Sequence, residues 1–360
     1  MSQEILIATR KSQLALWQAH KIQSLLQEKG IKTQLFPLVT TGDKMQKSQL
    51  ADIHLSQQNT EHHLTTGKGL FIKEIQEALL SNKAHIAVHS MKDLPVAQTA
   101  QLNIAALLPR AGARDVLILS PELLQSTSLH TMTAAQKAQL TFAELKNMLR
   151  NNPIFTQKPI GTTSARRQLL LKKCWNPNLN VQILRGNVDT RLKRVQNNEF
   201  AAILLAEAGL ERLELFNQEH MFYLPISEFI PAAAQGVIAV EINDNNQQLA
   251  NILTSLSCKQ TRFAAGIERM VLALLGGDCH TPIGAHYDNK QLYVVYGHYE
   301  NYKHVVISCS DTMLLEVAQL LNTNLYFNQF FAELCRSEFA KVVAQQLFAA
   351  GFAEVSDLKL

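Results

Sequence analysis

Three short segments of this 360-residue chain set a hydroxyl or amide side chain at a turn with arginine beside it: Thr9-Arg10-Lys11-Ser12, Gly161-Thr162-Thr163-Ser164-Ala165-Arg166-Arg167 and Arg185-Gly186-Asn187-Val188-Asp189-Thr190-Arg191. Where a strand gives way to a helix, free backbone N–H groups and the helix dipole favour anions. Ligands of open α/β sheets also gather at the carboxyl ends of strands. Arginine adds planar donors that suit carboxylates. Any one of these arginines is equally well explained as a solvated helix position or a surface ion pair. Repetition of the same placement favours a cleft for a polyanion, carboxylate or phosphate, and by itself names no reaction.

Two further segments carry groups that can react. His85-Ile86-Ala87-Val88-His89-Ser90-Met91-Lys92-Asp93-Leu94-Pro95 ends a strand in a Lys-Asp pair, and Pro95 stops any helix there. An aspartate among cations stays ionised and can stabilise a cationic intermediate or move a proton; the plainer reading is a turn-capping Asp. Gly276-Gly277-Asp278-Cys279-His280-Thr281-Pro282 places a cysteine in a loop, accessible to chemistry if cations favour its thiolate, or else a simple packing residue. A metal is not expected: His85 and His89 on one strand stand about 13 Å apart, and three adjacent residues around Cys279 seldom close a tetrahedral site. Gly67-Lys68-Gly69-Leu70-Phe71 is too short for a phosphate loop of the Walker type.

The elements that must carry these groups alternate strand and helix. Residues 4–9 read as a buried strand, and Ser12 caps a helix with Leu14, Trp17, Ile22, Leu25 and Leu26 on one face before Gly30 ends it. Strands are expected at 33–39, 84–90, 117–120, 159–163, 181–184 and 201–206, most followed by helix, which is an α/β pattern with a largely parallel sheet. From Cys258 the character changes to a helix over 261–275, strands at 293–299 and 304–310, then helices: a separate α+β domain. Two stretches look inserted: 44–66, rich in Gln and His, and 121–158, rich in Ser, Thr and Gln with one helical piece, expected to be a lid or decoration away from the cleft.

The length calls for two or three domains. With 34 basic against 30 acidic residues and 7% aromatics, neither the surplus charge nor the stacking platforms of a nucleic-acid binder are present. No apolar run approaches the roughly 20 residues of a membrane-spanning helix, and the start shows no secretory leader. Five scattered cysteines without Cys-x-x-Cys spacing suit reduced thiols in the cytoplasm.

Taken in order, IATRKSQLALWQAH (7–20), GKGLF (67–71), AVHSMKDLP (87–95), GTTSARRQ (161–168), LRGNVDTRL (184–192), LAEAGLERL (205–213), PAAAQG (231–236) and GGDCHTPIG (276–284) resemble the hydroxymethylbilane synthase (porphobilinogen deaminase) family over roughly residues 4–284. The resemblance implies two domains similar to periplasmic binding proteins, with mixed, mostly parallel sheets, and a smaller C-terminal α+β domain. Domain 1 would comprise 1–108 and 237–254, domain 2 residues 109–236, and domain 3 residues 255–360. It implies a covalent dipyrromethane cofactor on Cys279 and condensation of four porphobilinogen molecules, with loss of ammonia, into a linear tetrapyrrole. Asp93 would be the catalytic acid and base. Arg10, Lys68, Lys92, Arg166, Arg167, Arg185, Arg191 and Arg212 would serve the cofactor and substrate carboxylates, with Ser12, Thr162, Ser164 and Gln235 as hydrogen-bonding partners and Phe71 stacking near the reacting pyrrole. A cytoplasmic monomer with a small-molecule substrate is expected; the competing reading is a non-catalytic two-lobed anion receptor. Three departures stand out: the long 44–66 stretch, Asp278 inserted beside Cys279, where an acid disfavours the thiolate, and Ala234 in place of a glycine common in the PAVGQG version.

Overall fold

The computed structural model describes residues 4–40, 72–277, 281–297, 300–323 and 326–352. Among the described residues, thirteen strands form three sheets. The first has the order β2-β1-β3-β10-β4, built from β1 (Ile5–Arg10), β2 (Thr33–Leu38), β3 (Ile86–Ser90), β4 (Leu102–Leu107) and β10 (Ile238–Asn243). The second has the order β7-β6-β8-β5-β9, from β5 (Asp115–Leu119), β6 (Ile160–Gly161), β7 (Val181–Gln182), β8 (Ala202–Ala206) and β9 (Met221–Tyr223). The two orders match position for position. In each, the fourth strand is antiparallel to both neighbours while β1, β2 and β3, or β6, β7 and β8, run parallel. That fourth strand is the one that arrives from the other sheet: β5 follows the crossing at 108–114, and β10 follows the return at 224–237.

The crossings lie back to back, and their sequences permit it. A Cβ on Gly236, whose φ is +88°, would fall 2.6 Å from the Ala111 carbonyl oxygen, and one on Gly112 would fall 2.0 Å from Glu207 Cδ. Ala111 N donates to Gly236 O at 3.1 Å. Ala234, two residues earlier, holds φ +58°, the left-handed region where a side chain costs about 1 kcal/mol or more.

Both faces of each sheet are covered. The helix Gln13–Gln27 and the helix Gln247–Thr254 bury Ala19, Ile22, Leu26, Leu249 and Leu253 on one face of the first sheet, and the helix Lys73–Leu80 buries Ile75 and Leu79 on the other. In the second lobe the helix Ala165–Cys174 and the helix Val188–Gln196 take opposite faces.

The stretch 121–158 departs from the sequence reading. It holds four short α-helices and a 3-10 turn where one helical piece was expected. Each start is locally specified: Ser120 with Pro121 and Asn152 with Pro153 cap two helices, and Thr133 with Gln136 and Thr141 with Glu144 form reciprocal capping boxes. Leu123, Leu129, Leu145, Leu149 and Phe155 are buried against Trp175 and Phe229. The segment is therefore part of the second lobe's core, and burying five large apolar side chains at roughly 1.5–3 kcal/mol each explains why it is ordered.

The third sheet, β11 (Gly284–Asp288), β12 (Gln291–Tyr296) and β13 (Lys303–Ser308), is an antiparallel meander. It packs with the helices Asp311–Thr323, Phe327–Arg336 and Glu338–Ala349 around the helix Lys259–Leu274, which is buried on nearly every side. The same apolar cluster takes in Met91, Leu94, Leu107, Ala233, Ala234 and Val237 of the lobes. At its centre Glu268, fully buried, accepts from both terminal guanidinium nitrogens of Arg110 at 2.7 Å, from Ala234 N at 2.7 Å and from Tyr287 N at 2.9 Å. One carboxylate thus ties both crossings to the third sheet.

Candidate functional site

The arginine junctions converge where the two lobes meet. β1 ends in Arg10 and β3 in Ser90, after which a 3-10 turn, Met91–Asp93, presents Lys92 half-buried and Asp93 exposed. Met91 N donates to Val237 O at 2.9 Å, and Leu94 N closes the turn onto Met91 O at 3.2 Å. Gln18, buried on the Gln13–Gln27 helix, donates to Ser90 Oγ at 2.9 Å, so helix and turn share a register. Ser12 is occupied as that helix's N-cap, accepting from Ala15 N.

From the second lobe come Arg166 and Arg167, both nearly buried, at the start of the helix Ala165–Cys174. They share Asp115, which has no exposure at all. Arg166 donates to Oδ2 at 2.7 Å; Arg167 donates to Oδ1 through Nε at 3.1 Å and through its terminal nitrogen at 2.6 Å. Burial alone would raise the Asp115 carboxyl's pKa, but the two guanidinium groups override it and hold the acid far below the usual carboxylate range. Gln235 joins the lobes: its amide donates to Asp115 Oδ1 at 2.9 Å and to the Ala113 carbonyl at 2.8 Å, while its oxygen accepts from Lys92 Nζ at 3.2 Å.

Sequence reasoning did not single out Asp115. The available signal was its place as the first residue of the fully buried strand DVLIL, where an ionised group needs cationic partners. Its consequence is that the charges of Arg166 and Arg167 are largely neutralised within the protein. Arg166 Nε is buried and has no hydrogen-bond partner among the described residues.

The remaining cations are not neutralised to the same degree. Lys92 is pushed down to about 8, first by burial and then by Arg167, with Asp93 and Asp115 opposing. Arg191 is pushed down to about 10 by burial, then by Arg167, with Arg10 acting in the same direction and Asp93 against. Among the described residues, Lys92 feels Arg167, Arg166, Asp93 and Asp115, and Arg191 feels Arg167, Arg10 and Asp93, so these groups share one neighbourhood in which Arg167 acts on both cations. An anion entering this space would relieve the crowding of positive charge.

Other sequence-selected residues have local roles. Ser164 caps its helix by accepting from Arg167 N, and Thr162 Oγ1, buried, accepts from Ser164 N at 3.2 Å. Arg191 Nε donates to Gly186 O at 2.7 Å, which shapes the turn after β7, and Arg185 is exposed just before it. Arg212 sits at the contact between the lobes: it donates to Gly236 O at 2.6 Å and lies 5.8 Å from the Trp17 ring centre, on a helix whose Gly209 approaches Leu14. It supports the second crossing. Lys68, Phe71, Asp278 and Cys279 lie outside the described residues, as does the 44–66 stretch. The flanks of Cys279 are described. A Cβ on Gly277 would fall 2.1 Å from Ile283 Cδ1, and one on Gly284 would fall 3.1 Å from Arg166 Cδ, so β11 begins against the arginine pair.

His85 Nδ1 accepts from Leu6 N at 2.8 Å and His89 Nε2 stands 3.2 Å from Glu241 in the interior, so both serve the sheet. Among the described residues no group of His, Cys, Asp and Glu side chains could hold a metal ion, and no helix is long and apolar enough to cross a membrane.

Residues 5–251 match a family model described as "Porphobilinogen deaminase, dipyromethane cofactor binding domain". Proteins named porphobilinogen deaminase are similar over most of their length. That of Coxiella burnetii (strain RSA 493 / Nine Mile phase I) is 37% identical over 284 residues, covering 78% of this chain and 79% of its own. That of Rickettsia prowazekii (strain Madrid E) is 34% identical over 288 residues, covering 79% and 83%, and that of Legionella pneumophila (strain Lens) 37% over 290 residues, covering 79% and 81%. Among solved structures, an arginine 3rd transport system periplasmic binding protein from Legionella pneumophila aligns with 71% of this chain and 92% of its own at 12% identity and a TM-score of 0.37.

Proposed function

The chain belongs to the porphobilinogen deaminase family, and on that premise we propose that it is a transferase of tetrapyrrole biosynthesis that condenses four porphobilinogen molecules head to tail, releasing ammonia, to give hydroxymethylbilane. The observation that carries the reading is the crowding of positive charge: Lys92, Arg166 and Arg191 all have depressed proton affinity, burial being the first cause and Arg167 acting on each. Porphobilinogen brings an acetate and a propionate, and four of them in one chain bring eight negative charges, so a cleft that is short of anions before binding suits such a ligand.

The family's dipyrromethane fits the same residues. Cys279 would carry it through a thioether, and the start of β11, just beyond that loop, packs on Arg166. When bound, the dipyrromethane supplies the nucleophilic pyrrole carbon on which the chain grows. Lys92, Arg191, Arg10 and the spare Nε of Arg166 would take carboxylates, with Thr162, Ser164 and Ser12 hydroxyls as further donors and Arg185 at the rim. Lys68 and Phe71 are assigned to substrate binding on the strength of the GKGLF string alone.

Asp93 is the proposed acid and base. It is exposed on the turn and close enough to Lys92 and Arg191 to act on their titration. Protonated, it delivers a proton to the departing amine of porphobilinogen; ionised, it faces the electron-poor azafulvene left by that departure and afterwards takes up the proton released on bond formation. Gln235 and Asp115 keep Lys92 beside it. Four cysteines in the described part, Cys174, Cys258, Cys309 and Cys335, are unpaired, which suits the reducing cytoplasm in which we place this monomeric enzyme.

Intact-mass measurement of the purified protein tests the attachment. An adduct of two pyrrole units that maps to Cys279 and is lost in Cys279→Ser is expected; a bare mass after expression in cells that make porphobilinogen would point to an anion receptor instead. Conversion of porphobilinogen to a linear tetrapyrrole, abolished in Asp93→Asn with the fold retained, tests the reaction.

A further inference from the structure

We propose that Arg269, on the third domain's central helix, is a positioning residue that holds the Asp93 turn from behind; the proposal rests on the reading of Asp93 as the acid and base. Arg269 is almost completely buried. Its guanidinium donates to three backbone carbonyls of one short segment: Met91 O at 3.3 Å, Leu94 O at 3.0 Å and Pro95 O at 2.6 Å. These carbonyls bracket Asp93 on both sides in the chain.

A turn of three residues has few bonds of its own. Its last backbone bond, Leu94 N to Met91 O, is long at 3.2 Å, and the exposed Asp93 side chain cannot be fixed by packing. The planar fork of arginine suits the task because its donors diverge in one plane at fixed angles, whereas lysine offers a point charge on a flexible stem. A buried guanidinium also requires acceptors, and the Phe331 ring, 5.9 Å from its carbon, closes the pocket on another side. The demand is mutual: the arginine needs the carbonyls, and the turn needs the arginine.

The placement links the two proposed reacting parts. Arg269 is on the helix Lys259–Leu274, and that helix runs at its carboxyl end into the Gly276-Gly277 loop that leads to Cys279. One helix therefore sets the Asp93 turn through Arg269, both crossings through its neighbour Glu268, and the start of the cysteine loop through its own end. Adjacent helical residues point about 100° apart, which lets Glu268 and Arg269 grip different segments. A misplacement of about 1 Å at a reacting group can cost on the order of 100-fold in rate, so a clamp on the turn has direct leverage on turnover without touching substrate.

The test uses the cofactor-loaded full chain. Arg269→Lys keeps the charge and loses the fork; kcat is expected to fall about 10- to 100-fold with KM for porphobilinogen within about twofold, and the mass adduct on Cys279 is expected to persist. Because the residue acts through Asp93, adding Arg269→Lys to Asp93→Asn should lower the residual rate no further. Hydrogen exchange of a peptide spanning residues 90–96 should be faster in Arg269→Lys at a temperature where the variant is folded. Should Arg269→Lys fail to fold, Arg269→Gln serves the same comparisons, since its amide keeps two donors for the Leu94 and Pro95 carbonyls. Wild-type kcat, losses that multiply with those of Asp93→Asn, or unchanged exchange over 90–96 would each overturn the proposal. If the unmodified protein makes no tetrapyrrole from porphobilinogen, the assigned reaction falls instead, and the exchange arm still decides whether Arg269 clamps the turn.

Discussion

Replacing Asp115 by asparagine removes one negative charge at a site that no solvent reaches. The carboxylate accepts one bond from Arg166, two from Arg167 and one from Gln235. Asparagine retains a single oxygen and turns an NH2 group toward the guanidinium groups, leaving two buried cations with one neutral amide oxygen in place of the carboxylate, beside the Ile230 and Leu204 carbonyls they already use. Removing one partner of a buried ion pair typically costs about 3–5 kcal/mol, a large share of the roughly 5–15 kcal/mol that holds a domain together. Urea unfolding followed by tryptophan fluorescence reads it, because Trp175 is buried in the core of the same lobe. The pH dependence separates electrostatics from packing. The Asp115 pKa is depressed in the folded chain, so its contribution is fully present above the unfolded value of about 3.9 and fades as pH falls below it. The gap between wild type and Asp115→Asn should therefore narrow below about pH 4. A dicarboxylate should also stabilise the variant more than the wild type, since two arginines have lost their counter-ion. A loss below about 1 kcal/mol at neutral pH, where surface pairs lie, would refute the view that Asp115 is the internal counter-ion of the arginine pair.

Three other outcomes follow from the same geometry. Lys92, lowered to about 8, is protonated at neutral pH and loses its charge as pH rises through that value, so KM for an anionic substrate should climb above about pH 8 and the climb should vanish in Lys92→Arg; a flat alkaline limb in the wild type would contradict it. Glu268, brought down to about 2 by Arg110 against the opposing effect of burial, contributes about 3 kcal/mol at roughly 1.4 kcal/mol per tenfold change in proton affinity. That contribution is present above the unfolded carboxylate pKa and lost as pH falls toward 2, so acid unfolding should begin at a higher pH in Arg110→Met. Ala234→Gly should raise the urea midpoint by an amount equivalent to about 0.5–1 kcal/mol, because it relieves the left-handed φ at some cost in unfolded-chain entropy; a lower midpoint would mean that the Ala234 methyl group's packing outweighs the strain.

Legibility in the sequence followed the range of the interactions. β1, β2, β3, β5 and β8 were readable within a few residues because each is a short apolar run bounded by turn or cap signals. β4, LNIAAL, and β10, IAVEIN, were not read as strands: two of the six residues of β4 are Ala, which has little intrinsic β preference, and the two strands pair with each other across 130 residues of intervening chain. β9 and β11 are likewise specified by their partners. The 121–158 stretch failed for another reason, since its polar composition suggested decoration while the four caps and the i, i+3 capping boxes were present in the letters. Composition averages over a segment; caps do not.

The site shows the same division more sharply. Residue type and position at strand ends were enough to pick out Arg10, Lys92, Asp93, Arg166, Arg167 and Arg191, because that chemistry is local to each junction. What each arginine does was not readable, because its partner is distant in the chain: Asp115 lies 51 residues from Arg166 and Gln235 lies 143 from Lys92. Those partners sort the cations into two groups that look alike in the letters. Arg166 and Arg167 pair with an internal acid, which leaves the Arg166 Nε without a partner among the described residues, whereas Lys92 and Arg191 are crowded and partly desolvated. Affinity for an acidic ligand should therefore depend more on the second pair than on the first. Lys92→Gln and Arg191→Gln are expected to weaken binding of a pyrrole dicarboxylate with stability nearly unchanged, while Arg167→Gln should chiefly destabilise the lobe. Equal losses of affinity and of stability at all three positions would show that the cluster acts as one unit, and that the division drawn from Asp115 is false.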